Sequence, residues 1–339
     1  MVGLPLFVLP LGDERTASSR ARVYALLPHL ARAGVDFRVL NPHDPQALAQ
    51  VLARSAEQPT LVLQKRLLDD RWLRRLRNAG IRLVFDLDDA YFAYAPNESP
   101  AHPVHRRRVA ARRRRLVKMV QASAVTVCGN TFLAAYARAH GARNVVVIPT
   151  CLDLAAYPPK EEEAPAVPVI GWIGSSTNLP YLTVVRPALA GLHRRGIPFV
   201  FSVVCDRAPD WPDLPVRFRP WTADGWSTAL RTFDIGVMPL FSDDWARGKC
   251  GFKLLEYLAT GIPAVASPVG VNGDIVRHGE HALLADTPKE WETCLERLLA
   301  DPALRRRLGT AGRRTVEAHY TTEKAAAQWL ALLQREGLA

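Results

Sequence analysis

The sequence contains few cysteines and places none of them in a metal-binding pattern. Five cysteines are scattered over 339 residues, and no two form a Cys-x-x-Cys pair. A dispersed, odd-numbered set argues against a disulfide framework and against a structural zinc site. His102 and His105 have no third ligand near them in sequence, so we expect solvated histidines and no bound metal. The expectation is a protein of a reducing cytoplasm.

Long apolar segments and two phosphate-binding motifs are also missing. No run of about twenty apolar residues is present that would cross a bilayer. Residues 1–9 are apolar but lack a basic start and a small-residue cleavage site, so we expect a buried first strand. Neither half carries GxGxxG after its first predicted strand, and GxxxxGKS/T is absent. These absences disfavour a dinucleotide-dependent oxidoreductase and a P-loop nucleotide hydrolase.

Positive charge is concentrated in the first half of the chain. The formal net charge is +11, and residues 1–160 hold 24 of the 44 Lys and Arg but only 12 of the 33 Asp and Glu. The second half is therefore close to neutral. This asymmetry suggests that the first half meets something anionic, namely a membrane surface, a nucleic acid or an acidic glycan.

Much of this charge lies in one amphipathic segment, residues 105–118. It interleaves basic residues with Val109, Leu116 and Val117 and contains no aromatic side chain for base stacking, which argues against single-stranded nucleic acid. We expect a helix that contacts an anionic lipid surface, and a solvated surface helix is the alternative. The residues assigned to the membrane surface are Arg106, Arg107, Arg112, Arg113, Arg114, Arg115 and Lys118.

Short β-branched apolar runs alternate with longer amphipathic stretches along the whole chain, a pattern typical of βαβ units. The apolar spacing predicts a helix over 18–32, for example. Because 339 residues exceed one ordinary core, we predict an α/β protein with two Rossmann-like parallel-sheet domains. The predicted strands lie at 4–9, 37–40, 60–63, 83–87, 124–127 and 145–148, and at 169–173, 199–204, 216–218, 235–238, 264–266 and 282–284.

A charged, proline-rich segment separates the two halves, as in an exposed linker. We therefore predict an N-terminal domain over 1–158, a linker over 159–168 and a C-terminal domain over 169–318. The final segment, 319–339, is expected to be a helix that packs back toward the N-terminal domain. Ligands of parallel sheets bind beyond the carboxyl ends of the strands, so we expect the chemistry in the cleft where the two domains face each other.

The most informative stretch is 243–267, which reads as a loop, a helix, a Gly-Pro turn and a strand. Lys249, Lys253, Glu256 and Thr260 recur at steps of four, three and four, so they share one face wherever the segment is helical. Two cations and a carboxylate beside a helix N-terminus suit a nucleotide diphosphate. A solvated helix face with a Lys–Glu pair is the alternative.

This stretch, with residues 269–276 and 278–284 and the tail up to Tyr320, resembles the donor-binding half of family 4 (group 1) retaining glycosyltransferases of the GT-B fold. The first half matches more loosely, through its opening loop and residues 85–89. The resemblance implies a hexosyltransferase with no cofactor beyond its nucleotide-diphosphate sugar co-substrate. Because Lys249, Lys253 and the helix N–H groups would stabilise the departing diphosphate, we expect no metal requirement. It also implies a lipid or glycan acceptor, retention of configuration, and a Glu256 that accepts both ribose hydroxyls.

The chain departs from the family pattern at two places. Gly248 stands where the family has the first glutamate of Glu-x7-Glu, the carboxylate expected at the donor sugar. Asp243 or Asp244 is a candidate substitute. Residues 174–181 replace an arginine and a lysine that often follow the first strand of this domain, and their hydroxyls and amides can cap a phosphate. An ordinary helix N-cap is an equal alternative at this position.

The resemblance and the spacing together assign residues to three roles. For Ser19, N-capping of the first helix is an equal alternative to acceptor binding. For the aspartates that end the fourth strand, an Asx turn is the alternative to acceptor binding. Strand alternation places Asp86 and Asp88 on one side and Asp89 on the other. Donor binding is assigned to Gly174, Ser175, Ser176, Lys249, Gly251, Phe252, Lys253, Glu256, Val271 and Asn272. Catalysis is assigned to Lys249, Lys253, Asp88 and Asp243. Acceptor binding is assigned to Gly12, Ser19, Arg20, Asp88 and Asp89.

The expected protein is thus a cytoplasmic glycosyltransferase, peripheral on the inner face of the membrane. Its expected partners are a nucleotide sugar, a lipid or glycan acceptor and an anionic membrane surface. A nucleotide-sugar epimerase of the same fold is the alternative within enzymes, and it would need no acceptor. A basic nucleic-acid-binding protein is a more distant alternative, because the sequence contains no recognition motif for it.

Overall fold

The computed structural model describes residues 5–161 and 165–338, which form two parallel six-stranded sheets. The first sheet has the strand order β2-β1-β3-β4-β5-β6. Every strand pair in it is parallel, so crossover connections join the strands. Its strands are β1 (Leu6–Leu9), β2 (Phe37–Val39), β3 (Thr60–Gln64), β4 (Arg82–Leu87), β5 (Val125–Cys128) and β6 (Val145–Val147).

The second sheet is parallel as well and has the order β12-β11-β10-β7-β8-β9. Its strands are β7 (Val169–Ile173), β8 (Val200–Cys205), β9 (Val216–Pro220), β10 (Ile235–Met238), β11 (Ala264–Ala266) and β12 (Leu283–Leu284). The predicted α/β fold with two parallel-sheet domains is confirmed. Residue 4, which was placed in the first predicted strand, lies outside the described residues, as do 162–164 of the predicted linker.

Helices cover the faces of both sheets. In the N-terminal domain they are α1 (Ala17–Arg22), α2 (Leu27–Arg32), α3 (Ala47–Leu52), α4 (Asp70–Asn78), α5 (Pro103–Ala122) and α6 (Thr131–Ala139). The later helices are α7 (Arg186–Arg194), α8 (Trp226–Arg231), α9 (Asp244–Arg247), α10 (Phe252–Ala259), α11 (Asn272–Ile275), α12 (Pro288–Ala300), α13 (Pro302–His319) and α14 (Thr322–Arg335). Within the described ranges, no helix combines the length and the apolar character that a membrane crossing requires.

The single helix predicted over 18–32 is wrong, because the structure divides it into three pieces. Helix α1 ends at Arg22, a short 3-10 turn follows, and α2 then begins at Leu27. Val23 has φ −124° and ψ −72°, which is not helical. Pro28 has no N–H with which to continue an α-helical ladder from the preceding turn. The helical spacing of apolar residues continues through this break, so the spacing alone could not indicate it.

The last helix, α14, lies against the N-terminal domain rather than the domain that precedes it. Trp329 and Leu333 are buried in an apolar cluster with Leu6 and Val23. Near its end, the carbonyl of Leu338 accepts a hydrogen bond from the Thr60 hydroxyl at 2.8 Å. The chain thus returns to its first domain after completing the second.

The carboxyl ends of the strands carry the loops that meet between the domains. Asp88 follows β4, and its carbonyl accepts a contact from Cys250 Sγ at 3.4 Å. Asn130 follows β5, and its Nδ2 donates to the carbonyl of Lys249 at 3.1 Å. Gly174 follows β7 on the opposite side. The two sheets therefore face each other across a cleft in which their strand-end loops are in contact.

Candidate active site

The donor-side loop joins α9 to α10 and carries the two lysines of the motif. Gly251 has φ +70°, a left-handed conformation that suits glycine, and α10 begins at the next residue. Lys249 therefore precedes the helix, so the helical face predicted from the spacing includes Lys253 and Glu256 but not Lys249. Both lysines nevertheless lie at the N-terminal end of α10, where the first N–H groups have no side-chain cap.

Aromatic rings line the space around the lysine ammonium groups. Lys253 Nζ lies 5.6 Å from the centroid of the Trp172 ring, and Lys249 Nζ lies 5.6 Å from that of Tyr181 and 6.0 Å from that of Trp245. The Tyr181 hydroxyl and the Trp245 indole N–H are buried and have no hydrogen-bond partner among the described residues. Unpaired buried polar atoms beside cations fit a site built for a polar ligand.

Gly174 permits this arrangement, since a Cβ at its position would lie 2.7 Å from Lys253 Cε. Any larger residue would displace the lysine stem. The assignment of Gly174 to the donor side therefore has a steric reason in the structure, one that the sequence alone did not supply.

Nearby carboxylates do not fully balance the positive charge of the two lysines. Burial, together with the nearby Lys249, lowers the pKa of Lys253 to about 8, and Glu256 and Asp89 only partly oppose this. Burial also lowers the pKa of Lys249, and Asp89 opposes it. An anion bound here would favour the charged form of both side chains.

Glu256 lies one turn into α10 and is 5% exposed. The Tyr157 hydroxyl donates to Glu256 Oε1 at 3.1 Å. Burial raises the pKa of Glu256 to about 7, and the charge of Arg20 and the tyrosine hydrogen bond partly offset this. Arg20 belongs to the N-terminal domain, and its guanidinium lies 5.2 Å from the Trp226 ring. A carboxylate with spare acceptor capacity is thus held between the domains.

The serines after β7 are less available than predicted. Ser176 donates from both its N–H and its hydroxyl to the Asp206 carboxylate, each at 2.6 Å. Ser175 Oγ accepts a hydrogen bond from Asn178 but makes no cap bond to the following 3-10 turn. The structure therefore contradicts a free Ser176 hydroxyl ready for a phosphate, because a carboxylate already occupies it.

Val271 and Asn272 support the donor-side loop from behind. Asn272 is 1% exposed, and its Nδ2 donates to the carbonyl of Ser267 at 2.9 Å. A Cβ at Gly251 would lie 3.1 Å from Val271 Cγ2. Asn272 Oδ1 is buried and has no hydrogen-bond partner among the described residues, so the donor-binding assignment of Asn272 stays a prediction. Its place in the structure is to hold the turn that follows β11.

Asp243 was a candidate for the missing carboxylate, but it caps α9. Its Oδ1 accepts from the N–H of Ala246 at 2.7 Å. Asp244 is exposed and lies 3.6 Å from Arg247. One oxygen of Asp243 thus caps α9, while the charge of this carboxylate still acts on Lys249, so its catalytic assignment stays a prediction.

Gly248 itself packs on the N-terminal domain. A Cβ at this position would lie 2.5 Å from the Cβ of Ala90 and 2.7 Å from its backbone N. No glutamate fits there while the domains are arranged in this way. The departure from the family pattern at this position is thus a close interdomain contact.

The aspartates that end the fourth strand divide into two groups. Asp86 is buried and binds Arg22 through both carboxylate oxygens, with Arg22 Nε 2.8 Å from Oδ2. Asp88 and Asp89 both reach the ammonium of Lys65. The expectation that Asp89 lies apart from Asp88 is wrong, because β4 ends at Leu87 and strand alternation stops there. Sequence reasoning missed Lys65, which follows β3 without any motif.

The remaining acceptor-side residues hold the first loop. Ser19 is fully buried, and its hydroxyl accepts from the N–H of Gly12 and donates to Gln64, each at 3.0 Å. Acceptor binding by the Ser19 hydroxyl is therefore contradicted. Gln64 Oε1 also accepts from the N–H of Leu11 at 2.7 Å, so one amide fixes the whole turn beside the cleft. Arg20 is the member of this set that reaches toward the C-terminal domain.

The basic residues of α5 do not form one free surface. Arg112 binds Glu98 with both NH groups, at 3.0 and 2.7 Å, and donates to two backbone carbonyls. Arg113 donates to the carbonyl of Phe92, and Lys118 pairs with Asp70 at 2.5 Å. The assignment of Arg112 to the membrane is thus corrected to a structural role. The members that remain exposed without such bonds are Arg106, Arg107, Arg114 and Arg115.

No three His, Cys, Asp or Glu side chains within 5–161 and 165–338 are arranged to hold a metal ion. A surface cavity of about 460 Å³ lies elsewhere, next to α13. Two of the five cations that line it are paired with carboxylates: Lys160 with Asp234, and Arg313 with Glu317. It shares no residue with the interdomain cleft, which remains the candidate site on chemical grounds.

The two facing sheets and the cationic cleft between them define the class: the chain has the GT-B fold. Solved structures of low sequence identity share this fold over its whole length. Sucrose-phosphate synthase from Thermosynechococcus elongatus aligns with a TM-score of 0.73 and 17% identity over 98% of both chains. HepE from Anabaena, in complex with UDP and glucose, aligns with a TM-score of 0.67 and 14% identity over 98% of this chain and 99% of its own.

Sequence comparison then finds similarity to known proteins in the second half of the chain. Residues 185–331, less than half of the chain, match a family model described as glycosyl transferase-like. A D-inositol 3-phosphate glycosyltransferase from Pseudarthrobacter chlorophenolicus is 35% identical over 112 residues, which are 32% of this chain and 25% of that protein. The chain thus matches about a quarter of the length of such relatives. Over this range, the C-terminal domain is similar to glycosyl transferase-like proteins.

Proposed function

We propose that this protein is a glycosyltransferase that moves a hexose from a nucleotide-diphosphate sugar to a lipid or glycan acceptor. One observation carries the proposal. Two half-buried lysines with lowered pKa values stand at an uncapped helix N-terminus, and the buried Glu256 follows three residues after the second. The family of the C-terminal domain and the UDP found in Anabaena HepE support a nucleotide sugar as the ligand.

In the proposed reaction, Lys249 and Lys253 and the first N–H groups of α10 bind the diphosphate. As the bond from the anomeric carbon to the diphosphate breaks, negative charge grows on the leaving oxygen. Preformed cations in a dry cleft stabilise that charge. Glu256 accepts the ribose hydroxyls, whose hydrogen bonds favour its ionised form. Retention of configuration is the part of the proposal that rests on family resemblance.

A panel of nucleotide sugars tests the proposal. UDP-glucose, UDP-N-acetylglucosamine and GDP-mannose are each added to the purified protein, and the melting temperature and nucleotide release are measured. A ligand present at a hundredfold excess over its dissociation constant stabilises the folded state by about 2.7 kcal/mol, so a true donor gives a clear shift. If no nucleotide sugar raises the melting temperature or is turned over, the proposal fails.

The same panel separates the transferase from an epimerase. An epimerase converts the sugar of its donor with no acceptor present, and the product stays attached to the nucleotide. A transferase releases nucleotide diphosphate and increases that release when an acceptor is supplied. Chromatography of the reaction mixtures distinguishes the two products.

A peripheral membrane location belongs to this proposal. The exposed arginines of α5 and the 53% exposed Val104 at its start support it. An anionic lipid surface attracts each nearby cation by about 1 kcal/mol. Contact with the membrane would place a lipid-linked acceptor next to the N-terminal domain.

A further inference from the structure

A buried lysine on the acceptor side has no role in the account so far. Lys65 directly follows β3 and is 5% exposed. Its Nζ lies 3.3 Å from Asp88 Oδ1 and also contacts Asp89 Oδ2. Burying one cation with two carboxylates is unfavourable unless the geometry is good, so such a cluster invites a functional explanation.

The backbone of Lys65 is also unusual. Its φ is +58°, a left-handed conformation that disfavours a residue with a side chain. Glycine would adopt this turn without strain. Strain of this kind concentrates at functional sites, where the surrounding structure maintains it. The chain here keeps a strained lysine whose ammonium group lies at the cleft.

The charges around Lys65 come from every element that packs near it. On the N-terminal side of the cleft, Arg22 and Asp86 are joined by two hydrogen bonds. The Tyr91 ring lies 5.4 Å from Lys65 Nζ. Across the cleft, Lys249 and Lys253 act on Asp89. The titratable and charged groups that face the Lys65 cluster are Arg22, Asp86, Asp88, Asp89, Tyr91, Lys249, Cys250 and Lys253.

Lys65 makes the two carboxyl groups unequal. Burial raises the pKa of Asp88 to about 6, against the opposing charge of Lys65. The pKa of Asp89 falls although burial opposes it, because Lys65 and Lys249 favour its ionised form. Asp88 Oδ1 makes no hydrogen bond of good geometry to any described residue. Two neighbouring carboxyl groups whose environments differ in this way are typical of an acid–base pair.

We propose that Lys65 is a positioning residue, which holds Asp89 ionised and fixes Asp88 where it accepts the proton of an acceptor hydroxyl. This inference rests on the proposed transfer reaction. In that step the acceptor oxygen bonds to the anomeric carbon while the bond from that carbon to the diphosphate oxygen breaks. The electron pair leaves with the nucleotide diphosphate, and the hydroxyl proton passes to Asp88.

The test compares Lys65→Met, Lys65→Gly and Lys65→Arg with the wild type. It measures the affinity for UDP and the kcat with the nucleotide sugar of the panel from which the wild type releases nucleotide fastest. The diphosphate binds on the other domain, so the affinity for UDP is expected to stay within threefold. We expect kcat to fall at least a hundredfold in the Met and Gly variants. The acidic limb of the kcat profile should move to higher pH, because two adjacent carboxyl groups without their cation share a proton. Arg should return both kcat and the limb toward the wild type.

Matched controls keep the outcome clear. Lys65→Gly loses the same ammonium group as Lys65→Met but relieves the strained backbone, so the pair separates loss of charge from backbone strain, and retained UDP affinity shows that each variant is folded. Gln58 is also left-handed, with φ +48°, but lies on the surface, and Gln58→Gly should leave kcat unchanged. A kcat within threefold of wild type in both Lys65→Met and Lys65→Gly overturns the role of Lys65. A loss of kcat with no shift in the acidic limb of the pH profile overturns it as well. Absence of nucleotide release by the wild type instead overturns the proposed function.

Discussion

Glu256 is the residue at which stability and binding oppose each other. Its pKa is raised by burial to about 7, so the folded protein holds a proton there that the unfolded chain has lost. Its contribution to stability is therefore full below the ordinary glutamate pKa and is lost as the pH rises through about 7. Above that pH, the free protein carries a buried carboxylate that a ribose would stabilise.

Glu256→Gln should consequently stabilise the free protein at pH 8 and weaken nucleotide binding. A shift of one pKa unit corresponds to about 1.4 kcal/mol, so the gain in unfolding free energy is on the order of 1–3 kcal/mol. Loss of a charged hydrogen-bond acceptor should reduce the affinity for UDP by about 10- to 100-fold. Urea unfolding and calorimetry measure the two effects.

Glu280→Gln, at an exposed surface pair with Arg277, serves as the control and should change neither quantity. UDP affinity equal to wild type in Glu256→Gln would remove this residue from the donor site.

Lys253 gives the cleft a pH dependence on the alkaline side. Its pKa of about 8 in the free protein means that it loses its charge above that pH, whereas a diphosphate favours the charged form. We expect UDP affinity to fall as the pH rises above 8, by up to about tenfold per unit. Calorimetry at pH 7, 8 and 9 measures this. Lys253→Arg stays charged and should flatten the curve, and a flat wild-type curve would contradict the assignment.

At the scale of elements, the loop between α9 and α10 is where sequence and structure differ most instructively. Steps of four, three and four placed Lys249 on a helix, but the left-handed Gly251 begins α10 only after it. The predicted cluster still forms because the loop returns Lys249 to the same end of the helix. Spacing could identify the chemistry here but not the backbone that creates it.

Contacts between distant segments could not be predicted from the sequence. Nothing local marks Lys65 as a partner of Asp88, since they meet only because β3 and β4 are neighbours in the sheet. In the same way, nothing in the sequence indicates that Ser19 bonds to Gln64 or that Arg112 pairs with Glu98. The positions of the central strands, by contrast, were predictable because these buried strands are continuous apolar runs, whereas the edge strands β2 and β9 contain exposed arginines.

Gly248 offers a test of the contact between the two domains. In Gly248→Ala the new Cβ would lie 2.5 Å from that of Ala90, so the loop and the N-terminal domain must separate. Overpacking of this size costs about 1–3 kcal/mol. We expect a larger radius of gyration by small-angle scattering and at least a tenfold lower rate of nucleotide release.

Gly273→Ala is the matched control, because a Cβ there meets nothing within 4 Å. Unchanged scattering and an unchanged rate in Gly248→Ala would show that the closed contact has no part in turnover.

For the whole molecule, the charge asymmetry predicts a membrane-facing first domain. Replacing Arg106, Arg107, Arg114 and Arg115 with Gln should abolish sedimentation with vesicles containing phosphatidylserine, while neutral vesicles bind neither protein. These four side chains are exposed, so the fold should tolerate the change. Lys289→Gln and Arg297→Gln, on α12 of the other domain, remove surface charge elsewhere and should leave sedimentation intact. Equal sedimentation of the fourfold variant would refute the membrane role of α5.

The central claim is that a diphosphate binds between the two domains at the start of α10. A crystal structure of the protein with UDP measures this most directly. The account predicts phosphate oxygens within hydrogen-bond distance of the Lys249 and Lys253 ammonium groups and of the first N–H groups of α10, with the ribose on Glu256. UDP bound elsewhere, or a cleft left empty at saturating UDP, would contradict it.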